Sequence, residues 1–242
     1  MNTASVYFIK IYIKDNAEIG LYQVGASVAN ILSLCTWAFF QAWSPFALSV
    51  SKQENAKRIY SFVFELYCVA GFFFALSLML TSRDILLIFT NSGYLGAATV
   101  IGLLAINVVL VGMPSILAIA NSLAKKNMSY AIAIGLGSIV TVVLFMILIP
   151  VYGKEGAAIA MISGNFLIPV FLAYRAQRIY YIPYNFVRII FVIVLQLAMF
   201  YMAARLFTGL PGHLLAIVFM GAVICGSYYL MVRKSGYVKF LK

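Results

Sequence analysis

The sequence has little charge and few side chains of the kinds that catalyse reactions or bind metals. Only 10% of its 242 residues are charged, and it contains 6 acidic residues, 1 histidine and 3 cysteines. Soluble domains are about 25% charged, so this composition excludes a water-soluble globular protein. The cysteines, Cys35, Cys68 and Cys225, lie in separate apolar runs without CxxC spacing, which indicates packing residues.

The sequence also lacks the motifs of the common nucleotide-binding and hydrolytic enzymes. It has no Walker A or G-x-G-x-x-G segment, no H-E-x-x-H and no nucleophile elbow. A lone histidine, His213, without a second ligand nearby does not make a metal site. We therefore expect no metal, no cofactor and no enzymatic activity. The basic residues are not gathered on a soluble face, so nucleic acid is not an expected partner.

Long hydrophobic runs dominate what is present, since 64% of the residues are hydrophobic. A membrane-spanning helix needs about 20 apolar residues, and seven runs qualify. They are Leu21–Phe46, Ile59–Leu80, Ala97–Leu117, Tyr130–Ile149, Ala157–Tyr174, Phe186–Phe207 and Leu214–Val232. An eighth, Met1–Ile13, is too short to cross a bilayer alone and resembles a truncated helix. The sequence predicts an all-α, polytopic transmembrane bundle of about seven full spans.

The net charge of +11 has a regular distribution along the chain. Sorting the joins between spans alternately puts 12 of the 17 Lys and Arg residues on one side. The positive-inside rule makes that side cytoplasmic. Both termini are therefore expected in the cytoplasm, including a basic tail over 233–242 at the inner lipid headgroups.

Small residues recur every fourth position in two of the spans. They are Gly25, Ala29 and Ser33 in one, and Gly156, Ala160 and Gly164 in the other. Helices in lipid associate by close packing of such residues. We expect both sets to form helix contact faces.

Polar residues inside the spans are candidates for a substrate or ion pathway, because each is costly in hydrocarbon. Glu65 is interpreted as the only carboxylate within a span, where it could couple protons or form a structural pair. Lys10 could attract a phosphate or extend to the outer interface. Asn30, Asn107 and Asn165 could contact a sugar, although bonds between helices explain most such residues.

Three segments in order give the chain a family resemblance. They are Glu-Ile-Gly-Leu-Tyr at 18–22, Ala-Phe-Phe-Gln-Ala-Trp-Ser-Pro-Phe at 38–46 and Pro-Val-Tyr-Gly-Lys-Glu-Gly-Ala-Ala-Ile-Ala at 150–160. Together they resemble the second half of the Wzx-type polysaccharide flippases of the MOP superfamily, which also contains the MATE exporters. The resemblance implies a second-lobe six-helix bundle over 1–174, with its first helix truncated, and an additional helix pair over 175–232.

The resemblance also implies a function: moving an undecaprenyl-diphosphate-linked oligosaccharide across the bacterial inner membrane for surface polysaccharide synthesis, such as that of O-antigen. Cationic cavity residues are then expected to hold the diphosphate. The expected partners are this lipid-linked oligosaccharide, membrane lipids, and either a separate first lobe or a second copy of the chain. The alternatives are a multidrug or small-solute exporter of the same superfamily, and a membrane enzyme or assembly subunit of polysaccharide synthesis.

Overall fold

The fold consists of helices joined by short connections. A computed structural model describes residues 2–123 and 128–234, and no strand occurs among them. The helices are α1 (Asn2–Tyr12), α2 (Asn16–Ser49), α3 (Ala56–Phe89), α4 (Ala98–Leu117), α5 (Ile119–Leu123), α6 (Met128–Ile179), α7 (Phe186–Leu206) and α8 (Gly209–Lys234), with a 3-10 turn at Ser92–Ala97 before α4. The predicted all-α bundle is confirmed.

Helix α6 is a hairpin of two spans. It covers 52 residues, but Gly153 within it has a non-helical backbone with φ 59° and ψ −134°. A Cβ added to Gly164 would meet Thr141 and the carbonyl oxygen of Gly137. Residues 137 and 164 would lie about 40 Å apart in one continuous helix, at about 1.5 Å per residue, so the two halves must fold back on each other at Gly153.

Six helices in the described ranges are long and apolar enough to span a membrane. Counting the two halves of α6 separately gives seven spans, as the hydrophobic runs predict. The predicted helix ends are less accurate. A loop was expected over 81–96, but α3 continues to Phe89 and carries Asp84. Likewise, α2 begins at Asn16 and carries Glu18 in its first turn. Helices α2 and α3 therefore carry carboxylates besides Glu65, at helix ends that extend beyond the predicted apolar runs.

Helix α4 lies at the centre of the bundle. It packs against α2, α3 and α6. Most of its residues are buried inside the bundle. Helices α7 and α8 lie outside this centre and pack on α3. Only 22% of the most apolar stretch of α7 and 17% of that of α8 are buried. Their common core with α3 includes Val69, Leu80, Val192, Ala203 and Met220.

Joins predicted to lie on the same side of the membrane meet in the structure. Lys154 in the α6 turn donates to Glu18 at the start of α2, with a distance of 2.9 Å from Nζ to Oε1. Ser61 near the start of α3 donates to the carbonyl oxygen of Pro183 before α7. These contacts agree with the alternating arrangement of the spans. Lys125, Lys126 and the predicted basic tail lie outside the described residues, apart from helical backbone to Lys234.

Candidate functional site

A groove whose lining includes amides and hydroxyls lies halfway along the bundle, between α2 and α4. Its volume is about 580 Å³, within the range of small-molecule sites. The lining residues are Asn30, Ser33, Thr36, Trp37 and Phe40 of α2; Asn107, Val108, Val111, Gly112 and Ser115 of α4; and Met161 of α6. Asn107 is near the midpoint of α4, so the groove reaches the depth at which polar groups are most costly to place in lipid.

Two of the asparagines singled out in the sequence are hydrogen-bonded to each other. The side-chain Nδ2 of Asn165 in α6 donates to Oδ1 of Asn107 at 2.8 Å, and the two residues are only 1% and 5% exposed. Asn165 is not among the lining residues. It therefore acts behind the groove, where it fixes the orientation of the Asn107 amide. Asn30, by contrast, is exposed and lines the groove directly.

The described lining of the groove is uncharged. It consists of amides, hydroxyls, aromatic rings and aliphatic groups, with neither a carboxylate nor a cation. Lys10 is exposed on α1 and is not among these residues. The structure thus brings Asn30, Asn107 and Asn165 together and leaves Lys10 apart from them.

Glu65 lies outside the groove and is paired with a cation. It is 1% exposed, and its Oε1 and Oε2 accept from Nη1 of Arg188 in α7 at 3.2 and 3.4 Å. A buried carboxylate is costly unless it is paired and hydrogen-bonded. This contact favours the structural interpretation of Glu65, as a residue that ties α7 to α3.

The small residues lie at close helix contacts. A Cβ on Gly25 would meet Val100 of α4, and one on Gly156 would meet the backbone of Leu148 across the α6 hairpin. Ala29 and Ala160 are buried, and Gly164 faces Thr141 as described above. Ser33 differs from the others, because it is half-buried and lines the groove.

Two polar clusters at the ends of the helices were not predicted. Lys154 bridges Glu18 and Glu155, with a distance of 3.5 Å from its Nζ to Oε1 of Glu155. At the start of α8, Nδ1 of His213 lies 2.5 Å from Oδ2 of Asp84. The alternating order of the joins had already placed all five of these residues on the same side of the membrane. This shared side was the one feature of the sequence that could have suggested the two clusters. No group of three potential metal ligands occurs in residues 2–123 and 128–234.

These features define a class of protein: a polytopic helical membrane protein, in which a central helix and its neighbours line a groove that carries amides and hydroxyls at mid-depth. The chain is similar in structure to the lipid II flippase MurJ in its inward closed conformation, with a TM-score of 0.73 and 16% identity. The similarity covers 100% of this chain and 51% of MurJ, so the chain spans about half the length of that flippase. Neither a protein-family model nor a curated protein matches the sequence.

Proposed function

We propose that this chain forms one half of a flippase that moves an undecaprenyl-diphosphate-linked oligosaccharide across the bacterial inner membrane. The observation that carries the proposal is the uncharged groove at mid-depth, which presents amides and hydroxyls among apolar residues, in a fold similar to that of a lipid flippase. Segments 18–22, 38–46 and 150–160, which resemble polysaccharide flippases, support the choice of an oligosaccharide for surface polysaccharides over other lipid-linked cargo.

The groove meets a physical requirement of this transport. A sugar carries many hydroxyl groups, and an unpaired hydroxyl taken out of water costs about 2–7 kcal/mol. Amides such as those of Asn30 and Asn107 both donate and accept hydrogen bonds, so they can replace the lost water. The diphosphate needs compensating positive charge, which the described lining does not provide. We infer that a second lobe, from a separate chain or a second copy, provides part of the pathway.

A multidrug or small-solute exporter of the same superfamily is the runner-up function. Such an exporter is expected to use a carboxylate in its cavity, whereas the described groove residues include none and Glu65 is bonded to Arg188. A membrane enzyme or assembly subunit of polysaccharide synthesis is the third alternative. It would change the glycan itself while translocation continued normally.

Photolabelling tests the proposed substrate. The purified chain in nanodiscs is exposed to an undecaprenyl-diphosphate-linked oligosaccharide with a diazirine on the sugar. We expect labelling of α2 and α4, reduced about two- to tenfold by Asn30→Ala, since one hydrogen bond contributes about 0.5–1.5 kcal/mol. Gln41→Ala is the control, because Gln41 is exposed on α2 outside the groove. Binding of tetraphenylphosphonium to the chain, with no labelling by the lipid, would instead support the exporter.

The sidedness of the membrane arrangement is also a proposal. Both termini face the cytoplasm, and the α6 turn faces the outside. In a cysteine-free background, a cysteine at Ser92 should react with an impermeant maleimide added to intact cells, whereas a cysteine at Lys52 should react only after permeabilisation. The reverse pattern would invert the arrangement.

A further inference from the structure

Trp37 gives the groove a feature that the hydrogen-bonding residues alone do not. It is 64% exposed and lines the groove beside Phe40, one helical turn from Ser33. A tryptophan contributes a large contact area, and its ring face is electron-rich. The groove thus presents an exposed indole, amides and hydroxyls but no charged group, whereas a diphosphate requires compensating positive charge.

We propose that the groove is the saccharide subsite of the transporter, with Trp37 as the platform on which a sugar ring stacks and Asn30 and Asn107 as its hydrogen-bond partners. This inference rests on the proposed flippase function and divides the substrate between two places. The sugar occupies this groove, and the diphosphate is held by cations elsewhere.

The chemistry of a pyranose ring matches the two kinds of lining. One face of the ring presents weakly polarised C–H groups, which suit the negative face of an aromatic ring. The rim presents hydroxyls, which need donors and acceptors. A lipid tail would need neither amides nor hydroxyls, and a diphosphate would need lysine or arginine.

The bond behind the groove determines what Asn107 offers to the sugar. Its Oδ1 already accepts one hydrogen bond from Asn165, and none of the bonds described uses its Nδ2, which can donate to a sugar hydroxyl. Asn30 has no side-chain partner among the bonds described and can present both its oxygen and its nitrogen. The subsite thus combines an amide held in one orientation, that of Asn107, with the unrestrained amide of Asn30.

Fluorescence provides a direct test, because the chain has only two tryptophans. Trp43 is 4% exposed and outside the groove lining, so Trp43→Phe leaves Trp37 as the sole indole emitter. Two lipids are added to this variant in nanodiscs: undecaprenyl diphosphate, and the same lipid bearing N-acetylglucosamine. We expect only the sugar-bearing lipid to change the Trp37 emission. If Trp43→Phe does not fold, the difference between parent and Trp37→Phe spectra gives the same signal.

Affinity measurements complete the test. Trp37→Ala should weaken binding of the sugar-bearing lipid at least tenfold, and Trp37→Phe less than threefold, with no change for undecaprenyl diphosphate. Leu34→Ala is the matched control, since Leu34 is 69% exposed on α2 and does not line the groove. It should bind both lipids like the parent.

The outcomes separate this inference from the proposed function. Equal responses to the two lipids, or lipid binding by native mass spectrometry that Trp37→Ala leaves unchanged, would overturn the saccharide subsite and leave the flippase function standing. If neither lipid binds while tetraphenylphosphonium does, the flippase function fails, and the subsite fails with it.

Discussion

The hydrogen bond between Asn107 and Asn165 leads to a quantitative prediction. It joins residues 58 positions apart in sequence, at 2.8 Å, and connects α4 to the second half of α6. Replacing either residue with alanine leaves the other amide buried without its partner, at a cost of about 1–3 kcal/mol. Bonds between membrane helices measured by double-mutant cycles average about 0.6 kcal/mol and reach about 1.7. We therefore expect a coupling free energy of about 0.5–1.7 kcal/mol.

The assay is reversible unfolding in mixed micelles of increasing SDS content, followed by circular dichroism. Four proteins form the cycle: the parent, Asn107→Ala, Asn165→Ala and the double variant. Asn30→Ala combined with Asn165→Ala forms the control cycle, because no hydrogen bond joins these residues. The control effects should add within about 0.3–0.5 kcal/mol. A coupling near zero for Asn107 and Asn165 would show that their amides do not interact in the membrane, and that Asn165 does not orient Asn107.

Two further predictions concern stability. Gly153→Ala should destabilise the protein by about 1–3 kcal/mol, because φ is 59° at this residue. The control Gly135→Ala lies in open space within α6 and should be neutral or stabilising. Equal effects of the two substitutions would contradict a chain reversal at Gly153. Arg188→Ala should cost about 3–5 kcal/mol by leaving a buried carboxylate unpaired, and thermal unfolding should show a much smaller loss for the exposed Arg205→Ala. An Arg188→Ala variant as stable as the parent would mean that the buried carboxylate has another partner or is not ionised.

The sequence predicted the spans because hydrophobic length is a local property. The join over 150–156 was predicted as the stretch between two apolar runs, and the structure has the reversal there, at Gly153. Helix ends were less predictable. Arg83 and Asp84 suggested a loop, but the helical hydrogen bonds of α3 continue past its apolar region to Phe89. Polar side chains near the end of a membrane helix can extend to the interface, so they do not require the helix to stop.

The candidate site was only partly predictable. Composition singled out Asn30, Asn107 and Asn165 because amides are uncommon in hydrocarbon, but it could not show that one of them lies behind the groove. Glu65 and Arg188 are 123 residues apart, so their pairing depends on how α7 packs on α3. Trp37 was not singled out at all, since an aromatic residue in an apolar run is ordinary until the structure shows it beside amides.

Helix α7 and the start of α8 are joined to α3 at three separate depths. Arg188 binds Glu65 near one end, Gln196 donates to the carbonyl oxygen of Val69 farther along, and His213 meets Asp84 at the other end. One contact would act as a hinge, whereas three in a row oppose sliding, tilting and twisting together. In any movement of the bundle, α3, α7 and the start of α8 should therefore move together as one rigid unit, so a displacement at one end of these helices is transmitted to the other end.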